Sequence, residues 1–384
     1  MGDRRHARAV IACLGTLFLA ACADTPKVSG PSACTVSPSL AVQPARVPAT
    51  SPYDGIFTQA GAEFGVPATL LRAIGYVETR WEMVEGEEEF HGMAPAFGIM
   101  ALRGERLRQG AERAGLPVET VRRAPEGNVR AAAALLRAHA DAMGIEGEDV
   151  EVWKQAVAEY SGIQLAAGRE SYVRDVYAAL GGQRSAPSPS AALFSTDPCV
   201  VTPPTPATDY APAFWHASPN FNNRMAGDGG VVHMVIIHSC EGAYTGCWSW
   251  LSNATSQVSA HYVVREDGAE IKQLVREVSR AWHIGATYDS TLNANHAGHL
   301  HGVQSNHFTI GVEHAGFASQ SAWPVAQIDA SARLVCDMTR RWGIPRDRLH
   351  IVSHGQLQPH NRTDPGANWP WADYLARIDR YCVS

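Results

Sequence analysis

The chain has 384 residues, of which 45% are hydrophobic and 18% charged. That is longer than one ordinary core and too apolar for a disordered chain. Lys and Arg number 32 against 38 Asp and Glu, a net charge of -6, so nucleic acid is not an expected partner.

At the N-terminus Arg4, Arg5 and Arg8 precede an apolar run from Ala9 to Ala21. This is the pattern of a secretory signal, too short to span a bilayer as a helix. Leu19-Ala20-Ala21-Cys22 resembles a bacterial lipobox, which implies cleavage before Cys22, a lipid on its sulfur and attachment to a membrane. Ala23 stands where an aspartate would favour the inner membrane, so the expected location is the periplasmic face of the outer membrane. Residues 1–22 are thus a lipoprotein signal with its cysteine. Residues 23–52 and 183–212 are rich in Pro, Ser, Ala and Thr, as expected of solvated linkers. They bound a domain over 53–182 and a second over 213–384.

Setting Cys13 and Cys22 aside leaves six of the eight cysteines in an oxidising compartment, enough for three disulfides. Cys240 and Cys247 can clip one loop, Cys336 can meet Cys382, and Cys34 with Cys199 would join the two linkers. A thiolate metal site is the rival, but the chain has no Cys-x-x-Cys pair.

The 53–182 segment is rich in Ala, Leu, Glu and Arg and reads as helices. Leu70, Leu71, Ile74 and Val77 form a stripe that runs into Glu78, four residues after Ile74 and so on the same face. Apolar neighbours and the negative end of the helix dipole both raise the pKa of a carboxyl placed there, as a general acid requires. The acidic run Glu85, Glu87, Glu88 and Glu89 reads as a solvated loop. Ile74 to Thr79, Gly98-Ile99-Met100, Gly127-Asn128-Val129 and Ala158-Glu159-Tyr160-Ser161 occur in the order of the soluble lytic transglycosylases, and the domain resembles that family. The resemblance implies an all-α, lysozyme-like domain that cleaves glycan strands without hydrolysis, with Glu78 catalytic and Tyr160 beside the substrate. Thr79, Ala101 and Ser161 replace the family's Ser, Gln and Asn.

The 213–384 segment holds thirteen of the sixteen histidines and eight of the ten tryptophans. A β-branched run from Val231 to Ile237 ends at His238. Ser259 to Arg265 and Ala269 to Val275 flank Glu266-Asp267-Gly268 as a hairpin, and Phe308 to Val312 leads to Glu313. Helices are expected from Pro324 to Gly343 and from Trp371 to Tyr381. The expected domain is α/β, a mixed central sheet flanked by helices. His238 at a strand end, His354 after a short strand and Asp364 in a Pro/Asn/Gly-rich loop make two imidazoles and one carboxylate, a set able to hold catalytic zinc.

Val235 to Ser239, Ser259-Ala260-His261-Tyr262, Ala281-Trp282-His283, Ile310 to Glu313, and His354 through Arg362-Thr363-Asp364-Pro365-Gly366 together resemble the zinc N-acetylmuramoyl-L-alanine amidases. The resemblance implies one zinc ion on His238, His354 and Asp364, and Glu313 as the base acting on the attacking water. Arg362 stands where the family usually has lysine, able to steady an oxyanion but not to donate a proton readily. His261 and His283 would line the groove. His296, His299, His301 and His307 read as a solvated loop rather than a second metal site. The implied partner is peptidoglycan or its muropeptides, and the chain is expected to be a monomer. Two readings compete with a two-activity wall-degrading enzyme: an amidase whose helical domain only grips glycan, and a non-catalytic peptidoglycan sensor.

Overall fold

The computed structural model describes residues 47–181 and 207–383. The signal segment, Cys22, most of both linkers and the Cys34–Cys199 pairing lie outside the described residues.

The first region begins with α1 (Asp54–Phe64) and α2 (Ala68–Thr79). Gly65 closes α1 in the left-handed conformation that glycine tolerates, and Pro67 starts α2. After α2 come β1 (Ala96–Phe97) and β2 (Leu102–Arg103), then α3 (Gly104–Arg113), α4 (Val118–Arg123), α5 (Pro125–Ala142), α6 (Lys154–Tyr160) and α7 (Ala166–Leu180). The antiparallel β1–β2 pair departs from the expected all-α domain. It frames a turn at Gly98, where a Cβ would lie 2.2 Å from the buried Asn128 side chain. Asn128 accepts from the Met100 N–H and donates to the carbonyls of Phe97 and Val121, so it supplies the turn with partners that no neighbouring strand provides. Phe57, Leu70, Leu71, Ile74, Trp153 and the alanine-rich face of α5 form the core of this region.

The second region is built on a six-stranded sheet. Its elements are β3 (Phe214–Trp215), β4 (Phe221–Asn223), β5 (Met234–Ser239), α8 (Tyr244–Leu251), β6 (Tyr262–Val264), β7 (Ile271–Gln273), β8 (Ser279–Ala281), β9 (Thr309–His314), α9 (Val325–Trp342), β10 (Ile351–Ser353), α10 (His354–Leu357) and α11 (Trp371–Val383). Strand order is β10-β5-β9-β6-β7-β3, with β4 and β8 paired separately. All contacts in the large sheet are parallel except β6 with β7, so the sheet is mixed. β5 and β9 are buried along their whole length, as central strands covered on both faces must be. Val235, Ile237, Ile310 and Val312 pack against α9 and α11 through Ile328, Val335, Tyr374 and Ile378. The opposite face carries Met234 and Ile236, then His238. Disulfides join Cys240 to Cys247 and Cys336 to Cys382. Folded structure reaches back to Asp209, whose carboxylate accepts from Arg276 and from the Glu277 N–H.

The Pro/Ser/Thr-rich composition between the two regions suggests independent domains, yet they pack together. Asp175 on α7 pairs with Arg265 at 3.0 Å and accepts from Thr245 at 2.7 Å. Arg80 donates to Gln320, and Arg103 to the Glu241 carbonyl. Phe90, from the loop between α2 and β1, is buried against Tyr244, Trp248 and Leu251.

Candidate metal centre

His238 pairs directly with Glu313 in the parallel register of β5 and β9, so both side chains leave the same face of the sheet. Continuing this face, β10 delivers His354 at the first position of α10. The loop beyond turns back through a Gly355 N–H bond to the Asp364 carbonyl. The result is a buried cluster. Nδ1 of His238 lies 3.1 Å from Nδ1 of His354 and 3.1 Å from Asp364 Oδ2, and His354 Nδ1 lies 3.2 Å from Asp364 Oδ1. Glu313 is 3.9 Å from His238 Nδ1, and both its buried carboxylate oxygens lack a hydrogen-bond partner among the described residues.

The tautomers follow from the outer contacts. Nε2 of His238 faces Nδ1 of His283 at 3.0 Å, and Nε2 of His283 faces Thr309 Oγ1, whose hydroxyl donates to the Ser305 carbonyl. Nε2 of His354 faces Gln358 Oε1 at 3.2 Å. Protons on both Nε2 atoms satisfy these contacts and leave both Nδ1 lone pairs directed at the carboxylates. Lone pairs and anionic oxygens converging without a proton between them fit a bound cation. Without one, protons take its place: burial pulls the His238 pKa down, but Glu313, Asp364 and Glu89 overcome this and push it up to about 9. Burial alone would raise Asp364, but the facing His354 and His238 hold it well below the usual carboxylate range. Burial raises the pKa of Glu313.

A fourth donor was missed by the sequence reading. Glu89, from the acidic run read as a solvated loop, is buried with its Oε1 2.9 Å from His354 Nδ1 and 3.4 Å from His238 Nδ1. Arg362 meets the same residue, with Nε 3.3 Å from Glu89 Oε2 and a guanidinium N–H donated to the Glu89 carbonyl.

Two groove-lining expectations need correction. His283 is buried behind His238, its ring filling the space where a Cβ on Gly311 would lie 2.4 Å away. His261 is also buried: its Nδ1 accepts the Gly311 N–H, and its Nε2 faces the Ser279 carbonyl and Arg224. It satisfies backbone groups at the sheet rather than facing a groove. Of the four histidines expected in a solvated loop, His299 and His301 are exposed, with His299 3.1 Å from Asp228, whereas His296 packs on His350 and His307 accepts the Met225 N–H, both half-buried.

Glu78, next to last in α2, lies in a cleft of about 300 Å³ lined also by Arg103, Arg106, Tyr172, Trp250 and Asn253. Burial raises its pKa against the opposing effects of Arg106, Tyr172 and Arg103. The tyrosine bonded to Glu78 is Tyr172, whose hydroxyl donates to Oε1 at 2.7 Å. Tyr160 is buried, its hydroxyl without a partner among the described residues, and it is not the hydroxyl on Glu78. Thr79 is buried and donates to the Ile99 carbonyl, tying the end of α2 to the Gly98–Met100 turn.

Comparison with known proteins places the sheet region. The profile of the N-acetylmuramoyl-L-alanine amidase family matches residues 228–367. The chain is 34% identical over 191 residues to N-acetylmuramoyl-L-alanine amidase A of Achromobacter lyticus, covering 45% of this chain and 97% of that one. It is 31% identical over 122 residues to the 1,6-anhydro-N-acetylmuramyl-L-alanine amidase AmpD of Citrobacter freundii, covering 32% of this chain and 58% of that one. A crystal structure of a selenomethionine AmpD derivative aligns at 25% identity over 44% of this chain and 96% of that one, with a TM-score of 0.36. The near-complete coverage of the Achromobacter enzyme, together with the profile match across the strands and loops that carry His238, Glu313, His354 and Asp364, shows that the chain belongs to the N-acetylmuramoyl-L-alanine amidase family.

Proposed function

We propose that this chain is a zinc-dependent enzyme that hydrolyses the amide between N-acetylmuramic acid and L-alanine in peptidoglycan or its muropeptides. The observation that carries the reading is the convergence of His238, His354 and Asp364 on one buried point, with tautomers set by His283 and Gln358. These three residues hold the ion. Zinc bound there supplies Lewis-acid polarisation and acidifies water towards a pKa of about 7. Glu313, with no competing hydrogen bond among the described residues and a pKa raised by burial, takes the proton from the attacking water and returns it to the leaving amine. Arg362, whose planar guanidinium presents several N–H donors, can steady the oxyanion once it is free of Glu89.

A second activity, non-hydrolytic cleavage of the glycan strand, is favoured by one observation: Glu78 combines a raised pKa with a hydroxyl donor inside an open cleft. One carboxyl then serves first as acid to the glycosidic oxygen and then as base to the muramic acid 6-hydroxyl. The Cys22 lipobox supports a lipoprotein at the periplasmic face of the outer membrane, where an enzyme of an insoluble polymer is held beside its substrate. Several acyl chains on one cysteine would give stable attachment.

Mass spectrometry of sacculi digested with the wild type, Glu78→Gln and Glu313→Ala tests both activities. Free stem peptides should vanish with Glu313→Ala alone, and anhydro-muramic ends with Glu78→Gln alone. Stem-peptide release surviving Glu313→Ala would overturn the amidase assignment of that residue. Anhydro ends surviving Glu78→Gln would do the same for Glu78.

A further inference from the structure

We propose that Glu89 is a fourth protein ligand of the metal centre, donated by the helical region, and that the loop carrying it keeps the amidase site closed in the conformation seen here. The inference rests on the reading of His238, His354 and Asp364 as metal ligands and adds a donor from outside the amidase domain.

Three observations support it. First, Glu89 Oε1 approaches the same two Nδ1 atoms as Asp364 does, at 2.9 and 3.4 Å, so its carboxylate belongs to the donor set itself. Second, the loop is anchored on both sides of Glu89. The Glu87 N–H donates to Glu241 Oε2 at 2.9 Å, and Phe90 is buried among Tyr244, Cys247 and Trp248 of the amidase domain. A carboxylate held between two such anchors has little freedom to leave. Third, Arg362 is engaged by Glu89 through both its Nε and a terminal N–H. One residue therefore takes both the coordination position and the cation that a reacting amide would need.

The chemical consequence follows from ligand number. Three protein ligands leave zinc a position for water and substrate, whereas four close a tetrahedral site. With Glu89 in place the site has the ligand number of a closed zinc centre, and hydrolysis requires the loop over residues 85–92 to withdraw. Loop and metal site lie in different regions of one chain, so the helical region acts as a built-in cover for the amidase.

The test uses the full-length protein and its Glu89→Ala and Glu89→Gln variants, the glutamine preserving volume while removing the charge, and both keeping the backbone carbonyl that accepts from Arg362. Zinc affinity is measured by competition with a chromophoric chelator. The cobalt-substituted proteins are titrated with azide while their visible absorption is followed. Both variants should bind zinc on the order of tenfold to a hundredfold more weakly. Their cobalt spectra should respond to azide where the wild type does not, and amide cleavage at saturating zinc should rise. Equal zinc affinity and equal azide response in all three proteins would overturn the fourth ligand. His238→Ala separates the underlying reading: if it binds zinc as well as the wild type does, the metal site itself is wrong, and this inference falls with it.

Discussion

Nδ1 of His283 lies 3.0 Å from Nε2 of His238, on the side of the ring away from His354 and Asp364. The contact directs the lone pair of His238 Nδ1 inward. It depends on Gly311, the one residue of β9 whose missing side chain leaves room for the His283 ring. Gly311→Ala would place a Cβ 2.4 Å from that ring, closer than atoms can approach, so the ring must move and the hydrogen bond must break. We expect zinc affinity to fall about 10–100-fold and stability by about 1–3 kcal/mol. Chelator competition and urea melts measure the two, and unchanged zinc affinity would count against the support role of His283.

Metal removal should destabilise the protein, because a ligand that binds only the folded state adds stability by mass action. Zinc at about 100 times its dissociation constant adds about 2.7 kcal/mol. Thermal melts in chelator should shift down and recover with added zinc, while His238→Ala should lose most of the response. Identical wild-type melts with and without metal would contradict the site.

Tyr172→Phe tests the glycan-cleaving reading of Glu78. The Tyr172 hydroxyl favours the ionised carboxylate, so its loss raises the Glu78 pKa further. The alkaline limb of glycan cleavage should move to higher pH with the fold intact. A fall in rate without any movement of that limb would assign Tyr172 a packing role only.

Glu241 gives a pH-dependent contact between the two regions. Burial pushes its pKa up to about 7, against the N–H groups of Ala318 and Glu87 and the Ser239 hydroxyl. Between its ordinary value of 4.5 and about 7, the folded protein binds a proton that the unfolded chain does not. Stability from this group is therefore present below 4.5 and is lost as pH rises to about 7, by up to about 3 kcal/mol. Glu241→Gln cannot titrate and should flatten the change in melting temperature between pH 5 and pH 8. An unchanged slope would exclude Glu241 as its source.

Much of the site can be read without coordinates because its residues follow local patterns. His238 and Glu313 each end an apolar run that must be a buried strand, and Asp364 sits in a loop rich in turn formers. Cys240 and Cys247 are separated by only seven positions, so their disulfide is also a local matter. Gly98 and Asn128 are different: each stands out as a motif, but only packing shows that the amide fills the space the glycine leaves.

The sequence by itself determined the helical and α/β division, the strands that carry the amidase motifs, and the identity of three side chains that converge, since apolar periodicity and strand-end position follow from neighbouring residues. Only the tertiary structure decided which further groups face them. Glu89 reaches His354 across 265 positions, and its setting among other acids is the usual mark of a solvated loop. His283 and His261 look alike along the chain, but β9 offers one of them Gly311's empty space and the other Gly311's N–H. Tyr172, rather than Tyr160, meets Glu78 because the packing of α7 on α2 sets the direction of its hydroxyl, a long-range contact that no local pattern encodes.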